Sequence, residues 1–290
     1  MNEESKKDGS TTQDALFPAG HFYSPVVDTI DIAARQDAIW PSTPPVLPGI
    51  DFNARQQLEF LERDIGSIGA VFDYPATRAE VDSDAKFFLE NGLFGGLDAR
   101  ALFAMLLKLR PRRMIEVGSG FSSLLSADVN RRFLDDAMDF TCIEPYPRDF
   151  LKKPIPGLSR VLQNKVESLP LELFAELDDG DVLFIDSSHV AKTGSDVNYL
   201  YFQVLPRLRP GVFIHIHDIF FPHDYPKQWV IEENRSWNEQ YVLQAMLMYS
   251  YAFHVVFGSA YAHYVFPRKI MDVANGELLG GGSFWMRKAT

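Results

Sequence analysis

The chain has 290 residues, a net charge of −11, and hydrophobic and charged fractions of 46% and 23%, which is typical of one large globular domain with appendages. The excess of acidic residues argues against sequence-independent nucleic-acid binding, which depends on Lys and Arg at the phosphates. The single cysteine, Cys142, excludes an intramolecular disulfide and a metal site built from several cysteines.

The chain begins with residues 1–15, which are mostly polar and predict a disordered tail without the apolar core of a secretory signal. No stretch approaches the roughly 18 consecutive apolar residues that a membrane span requires. Together these features predict a soluble, cytoplasmic protein with no membrane partner.

Residues 16–96 predict an irregular and partly helical arm on the substrate side of the protein. Its first half is rich in Pro and aromatic residues, and helical spacing of apolar residues appears at 54–64. The aromatic segment His21–Pro25 is a candidate substrate lid, although simple packing explains it equally well. Asn91 and Phe94 are further candidates for substrate contacts.

Residues 97–290 predict one α/β domain, because short apolar strands alternate with helical segments. The predicted strands are RRMIEVGSG, FTCIEP, SRVLQNKV, DVLFIDSS, GVFIHIHD, FHVVFGSA and GSFWMRKA. The predicted helices are LDARALFAMLLKL, SSLLSADVNRRF, PLELFAEL, DVNYLYFQVLPRL and NEQYVLQAMLMY. We therefore expect a seven-stranded, mostly parallel sheet with helices on both faces, an antiparallel edge and an antiparallel last strand.

The first strand ends in EVGSGFSS, residues 116–123, and open α/β sheets bind ligands at the carboxyl ends of their strands. Gly118 and Gly120 permit a tight turn and a close approach of the backbone to a ligand. A dinucleotide fingerprint would have a third glycine where this chain has Ser123, so a pyrophosphate is disfavoured. Glu144, after the second strand, is placed to accept hydrogen bonds from both hydroxyls of a ribose. The alternative to a ligand-binding turn is that Gly118 and Gly120 form an ordinary tight turn without a ligand.

The segments EVGSG, IEP, GHFYSP, FIDSSHV, HIHDIFFPHDYP and WNEQYVLQAML resemble class I S-adenosylmethionine-dependent methyltransferases. Within that superfamily the chain, from about Asp98 onward, is most similar to the bacterial small-molecule group called the methyltransferase-24 type. The resemblance implies a Rossmann-like fold, S-adenosylmethionine as cofactor, and O-methylation of a small-molecule hydroxyl such as that of a sugar or secondary metabolite. It implies cofactor contacts from Glu116, Gly118, Ser119, Gly120, Ser123, Glu144 and Asp186, with a weaker indication for residues 163–167.

Two neighbouring strands end in acids and histidines. Asp186 and His189 follow the fourth strand, and His217 and Asp218 follow the fifth. Because parallel strands end at the same rim, these four side chains should converge beside the cofactor. The alternative for Asp186 is a structural role, in which its side chain caps the turn that follows the strand. His215 lies deeper in its strand and is interpreted as a hydrogen-bonded core residue.

The resemblance extends to metal-dependent O-methyltransferases. It implies that Asp186, His217 and Asp218 bind a divalent metal, that His189 is the general base, and that Asp186, His189 and His217 form the catalytic set. The relatives have an acid where this chain has His217, and a histidine ligand shifts preference from Mg²⁺ towards Mn²⁺, Fe²⁺ or Zn²⁺. A metal-free acid–base pair of His189 and His217 is the alternative.

Other features leave more than one interpretation. His223 and Asp224 either line the substrate entrance or face solvent, and Asn238 is expected to cap the helix that follows it. The expected partner is a small-molecule acceptor rather than nucleic acid, and a homo-oligomer is left open. Two other functions also fit the sequence: a metal-dependent hydroxylase or hydrolase on the same fold, and a non-catalytic nucleoside-binding module.

Overall fold

The computed structural model of the protein describes residues 15–290, so the predicted tail lies outside the described residues except for Ala15. Its centre is a seven-stranded sheet in the order β3-β2-β1-β4-β5-β7-β6. The strands are β1 (Arg113–Val117), β2 (Asp139–Ile143), β3 (Arg160–Leu162), β4 (Val182–Ile185), β5 (Phe213–Ile216), β6 (Phe253–Gly258) and β7 (Phe284–Lys288).

The first five strands are parallel, and β7 is antiparallel to both β5 and β6. The mostly parallel sheet with an antiparallel last strand is therefore confirmed. The antiparallel edge of the sheet is formed by β6, which pairs with β7, and β7 lies between β6 and β5.

Helices cover both faces of the sheet. The sheet therefore lies between two layers of buried side chains, one on each face. The helices are α1 (Thr29–Ala34), α2 (Gln36–Ile39), α3 (Ala54–Glu59), α4 (Gly96–Leu109), α5 (Phe121–Phe133), α6 (Glu172–Ala175), α7 (Asp196–Tyr199), α8 (Lys227–Ile231), α9 (Glu239–Leu247), α10 (Ser259–Val265) and α11 (Pro267–Val273). Every residue of β4 is buried, as expected for a central parallel strand, whose sequence is a continuous apolar run.

Some helices differ from the sequence prediction. The helix predicted at 54–64 is α-helical only to Glu59 and continues as a π-helical segment, Phe60–Asp64. A second π-helical segment, Leu200–Val204, follows α7. The pair α10 and α11 was not predicted, because Pro267 interrupts the apolar spacing and starts a new helix instead. Among residues 15–290, no helix is both long and apolar enough to cross a membrane.

The segment predicted as an arm has two parts with different packing. Its later part joins the main core through buried residues such as Phe60, Leu61 and Phe94. Gln57 is completely buried and accepts a hydrogen bond from the backbone N–H of Gly258 at the end of β6. The earlier part is more exposed, and Phe22 at its tip is 81% exposed.

Candidate active site

The turn after β1 depends on one glycine. Gly118 has a φ of +78°, and a Cβ at this position would lie 1.7 Å from the carbonyl oxygen of Asp186. A larger residue therefore fits neither the backbone conformation nor the space. At Gly120 a Cβ would meet no atom within 4 Å, because this residue borders an open cleft.

Glu144 follows β2 and is held by backbone groups at the same cleft. Its Oε2 accepts a hydrogen bond of 3.1 Å from the N–H of Ser119, and its Oε1 accepts one of 2.8 Å from the N–H of Tyr146. A carboxylate has about four acceptor positions, so it keeps room for two further donors. This arrangement fits the vicinal hydroxyls of a ribose, as the sequence predicts for Glu144.

Glu116 and Ser123 lie behind the glycine turn rather than in the cleft. Glu116 is completely buried and accepts hydrogen bonds from Ser122 Oγ and Cys142 Sγ. Burial raises the pKa of Glu116 to about 8. Ser123 Oγ accepts a hydrogen bond from the N–H of Gly120. These positions support the backbone of the turn instead of offering the predicted direct contact with a cofactor.

The other end of the cleft contains the predicted acid and histidine cluster. Asp186, His217 and Asp218 each present a donor atom, and these atoms all lie within 4.8 Å of one another. The sheet positions them, because the N–H of Asp186 bonds to Val117 O and the N–H of His217 bonds to Ile185 O. Three ligands of a divalent metal can therefore converge at this point, with donor types that suit a transition metal.

His189 joins the cluster from the side. Its Nε2 lies 3.3 Å from Asp186 Oδ1 and 3.4 Å from Asp218 Oδ2, and its Nδ1 lies 2.9 Å from Glu239 Oε2. The backbone of His189 is left-handed (φ +61°), and its carbonyl accepts hydrogen bonds from the N–H groups of Asn238 and Glu239 at the start of α9. The side chain is 6% exposed, and the ring of Trp237 lies over it.

Two buried acids support the histidines, and the sequence analysis missed both. Glu239 contacts His189, and Asp98 Oδ2 lies 3.3 Å from His217 Nε2. Asp98 also accepts hydrogen bonds from the backbone of Gly282 and Ser283, just before β7. In the sequence each acid looks like an ordinary first-turn helix residue, and only burial distinguishes it.

The charges in the cluster depend on one another. Burial alone would raise the pKa of Asp186, but the charge of His217 and a hydrogen bond from His189 hold it well below its usual range. Burial would lower the pKa of His189, yet hydrogen bonds to Asp186 and Glu239 raise it to about 10. The charges of Asp186 and Asp218 raise the pKa of His217 well above its usual value despite burial. A divalent cation would replace these protons, as metal binding to histidine generally does.

The cleft between the two ends has a volume of about 440 Å³, which is within the usual range for small-molecule sites. One wall is aromatic and contains Phe94, Trp229 and Trp237. The guanidinium of Arg235 lies 4.1 Å from the ring centre of Trp229 and 4.8 Å from that of Trp237. This wall gives a flat or apolar acceptor a surface to pack against.

Several predicted site residues lie elsewhere. His215 is a core residue, as interpreted from the sequence, because its Nε2 lies 2.8 Å from Ser283 Oγ and its ring stacks on Phe184. His223 and Asp224 line a second cavity rather than the cleft. Residues 163–167 lie outside the lining of the cleft as well.

Two further residues have structural roles. Asn238 takes the N-cap position of α9, but its side chain does not cap the helix; its Oδ1 accepts a hydrogen bond from the N–H of Ala191 instead. The amide of Asn91 bonds to the carbonyls of Phe88 and Phe94, so it shapes the loop that carries Phe94. His21–Pro25 is largely exposed and stays a candidate lid.

The chain is similar to several known proteins. Residues 115–219 match the family model of a methyltransferase domain, a segment that begins in β1 and ends just after Asp218. An uncharacterised protein of Archaeoglobus fulgidus is 39% identical over 167 residues, which is 57% of this chain and 75% of that relative.

Two solved structures are also similar. The O-methyltransferase TomG of Streptomyces achromogenes, involved in tomaymycin synthesis and crystallised with S-adenosylmethionine, is 12% identical; 91% of this chain and 96% of that chain are covered, with a TM-score of 0.39. The S-adenosylhomocysteine-bound methyltransferase PaMTH1 of Podospora anserina is 15% identical; 96% and 100% are covered, with a TM-score of 0.43.

The matched segment contains the glycine turn and the acids that end β2, β4 and β5. The sheet has the strand order of a Rossmann-like domain with an inserted antiparallel β7. On these grounds residues 115–219 belong to a methyltransferase domain, and the sheet that contains them has a Rossmann-like fold.

Proposed function

We propose that this methyltransferase transfers the methyl group of S-adenosylmethionine to a hydroxyl oxygen of a small molecule, with the help of a divalent metal. One observation carries the proposal: a single cleft contains Gly118 and Glu144 at one end and Asp186, His217 and Asp218 at the other. The ends adjoin, since the space beside Gly118 is filled by the carbonyl of Asp186. A cofactor held at the turn therefore lies next to a site that can orient an acceptor oxygen.

The reaction needs an oxygen nucleophile aligned with the sulfonium methyl group. The O–CH₃ bond forms as the S–CH₃ bond breaks, and the products are a methyl ether, S-adenosylhomocysteine and the proton of the hydroxyl. A metal bound by Asp186, His217 and Asp218 would lower the pKa of that hydroxyl and fix its position. The cleft lining also contains Arg148 and Arg235, so the attraction for the cationic cofactor is local and comes from the carboxylates of Glu144 and Asp186.

The size and lining of the cleft support a small acceptor. Its volume of about 440 Å³ is small for an extended polymer beside the cofactor. The wall of Phe94, Trp229 and Trp237 excludes water from the reacting atoms and favours an acceptor with a flat or apolar face.

Calorimetry of S-adenosylmethionine binding to chelator-treated protein tests this proposal, repeated with Mg²⁺, Mn²⁺ and Fe²⁺. We expect binding that Glu144→Ala weakens at least about tenfold, since charged hydrogen bonds contribute about 1.5–3 kcal/mol each. Glu176→Ala, at an exposed glutamate outside the cleft, is the matched control. Absence of binding under every condition would overturn the proposal, whereas binding would justify a screen of hydroxyl acceptors for S-adenosylhomocysteine formation.

A further inference from the structure

The two histidines of the cluster have matching surroundings. The Nε2 atom of His217 contacts the buried carboxylate of Asp98, and its Nδ1 faces Asp186 and Asp218. The Nδ1 atom of His189 contacts the buried carboxylate of Glu239, and its Nε2 faces the same two aspartates. A histidine that binds a metal nearly always donates its other N–H to a carboxylate, a carbonyl or a water. Both histidines show this pattern.

The contacts between the histidines and the aspartates measure 3.3 and 3.4 Å for His189 and 3.5 and 3.6 Å for His217. Both histidines face Oδ1 of Asp186, whereas His189 faces Oδ2 of Asp218 and His217 faces its Oδ1. Two donors that each lie about 2.1 Å from one ion are about 3.0 Å apart at a right angle and about 3.4 Å apart at the tetrahedral angle. The observed spacing is therefore close to that of atoms around a shared cation, with Asp218 offering both of its oxygens.

The position of His189 does not suit a base for an acceptor in the cleft. The side chain is buried beneath Trp237 and is not part of the cleft lining, whereas His217 is. Its free nitrogen faces two carboxylates. Its other nitrogen lies 2.9 Å from the buried carboxylate of Glu239, so turning the ring towards an acceptor would leave that acid without its partner.

We infer that His189 is a fourth metal ligand rather than the proton acceptor, so that Asp186, His189, His217 and Asp218 form a two-histidine, two-carboxylate centre. The inference rests on the proposed metal-assisted methyl transfer and specifies its metal. Imidazole nitrogens suit Fe²⁺, Co²⁺ and Zn²⁺, whereas Mg²⁺ prefers oxygen ligands and retains several waters. The site therefore takes a transition metal in preference to Mg²⁺. Glu239 and Asp98 act as positioning residues that fix the tautomer of each ligand.

Proton NMR of the Co²⁺-loaded wild-type protein tests the inference without any variant. Co²⁺ is paramagnetic and moves the ring N–H resonances of its histidine ligands outside the normal spectral range. We expect two such exchangeable resonances, from Nδ1–H of His189 and Nε2–H of His217, and slow exchange because both face buried carboxylates. A single resonance, or none, would overturn the inference.

Metal titrations of variants provide an independent readout. His189→Ala should raise the Kd for Co²⁺ by at least about tenfold and remove one of the two resonances, and Glu239→Gln should raise the Kd about 10- to 100-fold. His254→Ala, at an exposed histidine on β6, is the matched control and should change neither. If His189 were only a base, His189→Ala would leave the Kd for Co²⁺ unchanged.

Calorimetry with S-adenosylmethionine on the same samples separates the two proposals. Cofactor binding together with a single shifted resonance would refute the four-ligand centre and leave the methyltransferase proposal intact. Two shifted resonances in a protein that fails to bind the cofactor would support the four-ligand centre and refute the methyltransferase proposal. A preference for Mg²⁺ over Mn²⁺ and Co²⁺ in competition would also count against the four-ligand centre.

Discussion

The two ends of the cleft are built in different ways. The cofactor end is formed by backbone conformation within a short stretch of chain, where the turn at Gly118–Gly120 meets one acid, Glu144. The metal end is formed by side chains that come from β4, β5, α4 and α9. The first can be recognised as a local motif. The second exists only when distant segments have packed together, and it depends on a balance of charge.

This difference implies different sensitivities. The folding of the cofactor end should tolerate changes of side chain except where the backbone conformation requires glycine, whereas its affinity for the cofactor should depend on Glu144 and on the open space at Gly120. The metal end should respond to any change of charge, including changes at acids that touch no ligand.

Gly118→Ala should destabilise the protein by at least about 3 kcal/mol, because the new Cβ meets the carbonyl of Asp186 in a left-handed backbone. Gly120→Ala is the matched control, since a Cβ there enters open space; it should fold normally and lose affinity for S-adenosylmethionine. Urea unfolding and calorimetry measure the two effects. Equal stability of the two variants would show that the turn does not depend on Gly118.

Glu239→Gln should destabilise the chelator-treated protein by about 3 kcal/mol, because it leaves the buried charge of His189 with one acid fewer. Added Co²⁺ should increase this loss by about 1.4–2.7 kcal/mol at saturation, since a 10- to 100-fold larger Kd gives the variant that much less stabilisation by the metal. Thermal unfolding with and without metal provides the measurement. A loss that is the same in both conditions would mean that Glu239 is only a packing residue.

Glu116→Gln should change how stability depends on pH. Folding raises the pKa of Glu116 from 4.5 to about 8 by burial, so the folded state keeps a proton that the unfolded state releases in this window. The stability of the wild-type protein therefore falls as pH rises from 4.5 to 8, by up to about 1.4 kcal/mol per pH unit from this group. Gln cannot titrate, so the variant should gain stability relative to the wild type between pH 5 and pH 8.

Urea unfolding at both pH values measures this effect, with the exposed Glu176→Gln as control. Parallel pH profiles for wild type and Glu116→Gln would show that Glu116 is ionised in the folded protein. The cofactor end would then contain a buried charge and resemble the metal end more closely than we propose.

Trp40→Phe should have the smallest effect, about 1 kcal/mol, because it removes one hydrogen bond of 2.8 Å from the indole N–H to the carbonyl of Tyr225. Trp40 belongs to neither end of the cleft. Affinities for S-adenosylmethionine and for metal should stay at wild-type values. A change in either affinity would show that the N-terminal segment shapes the cleft.

Much of the fold and part of the site follow from the sequence. All seven strands lie where apolar runs predict them, and Gly118, Glu144, Asp186, His217 and Asp218 line one cleft because parallel strands end at one rim. Local pattern also predicts most helices. It does not predict their π-helical continuations.

The sequence fails where burial determines a residue's role. Asp98 and Glu239 look like ordinary acids in the first turn of a helix, and nothing in their spacing indicates a buried partner. Glu116 has the position of a ligand contact, yet its side chain points into the core. The direction of a side chain from a strand end depends on what packs behind it, and that information is distributed over the whole chain.

The place of β7 has a consequence for the acid and histidine cluster. This strand is the last along the chain, yet it lies between β5 and β6, and the residues just before it hold Asp98 and His215 in place. The glycine turn and β1 to β5 precede it along the chain. The acid and histidine cluster therefore has its full support only in a chain that includes β7. We expect a chain that ends before β7 to lack the backbone donors that hold Asp98 and the hydroxyl that contacts His215.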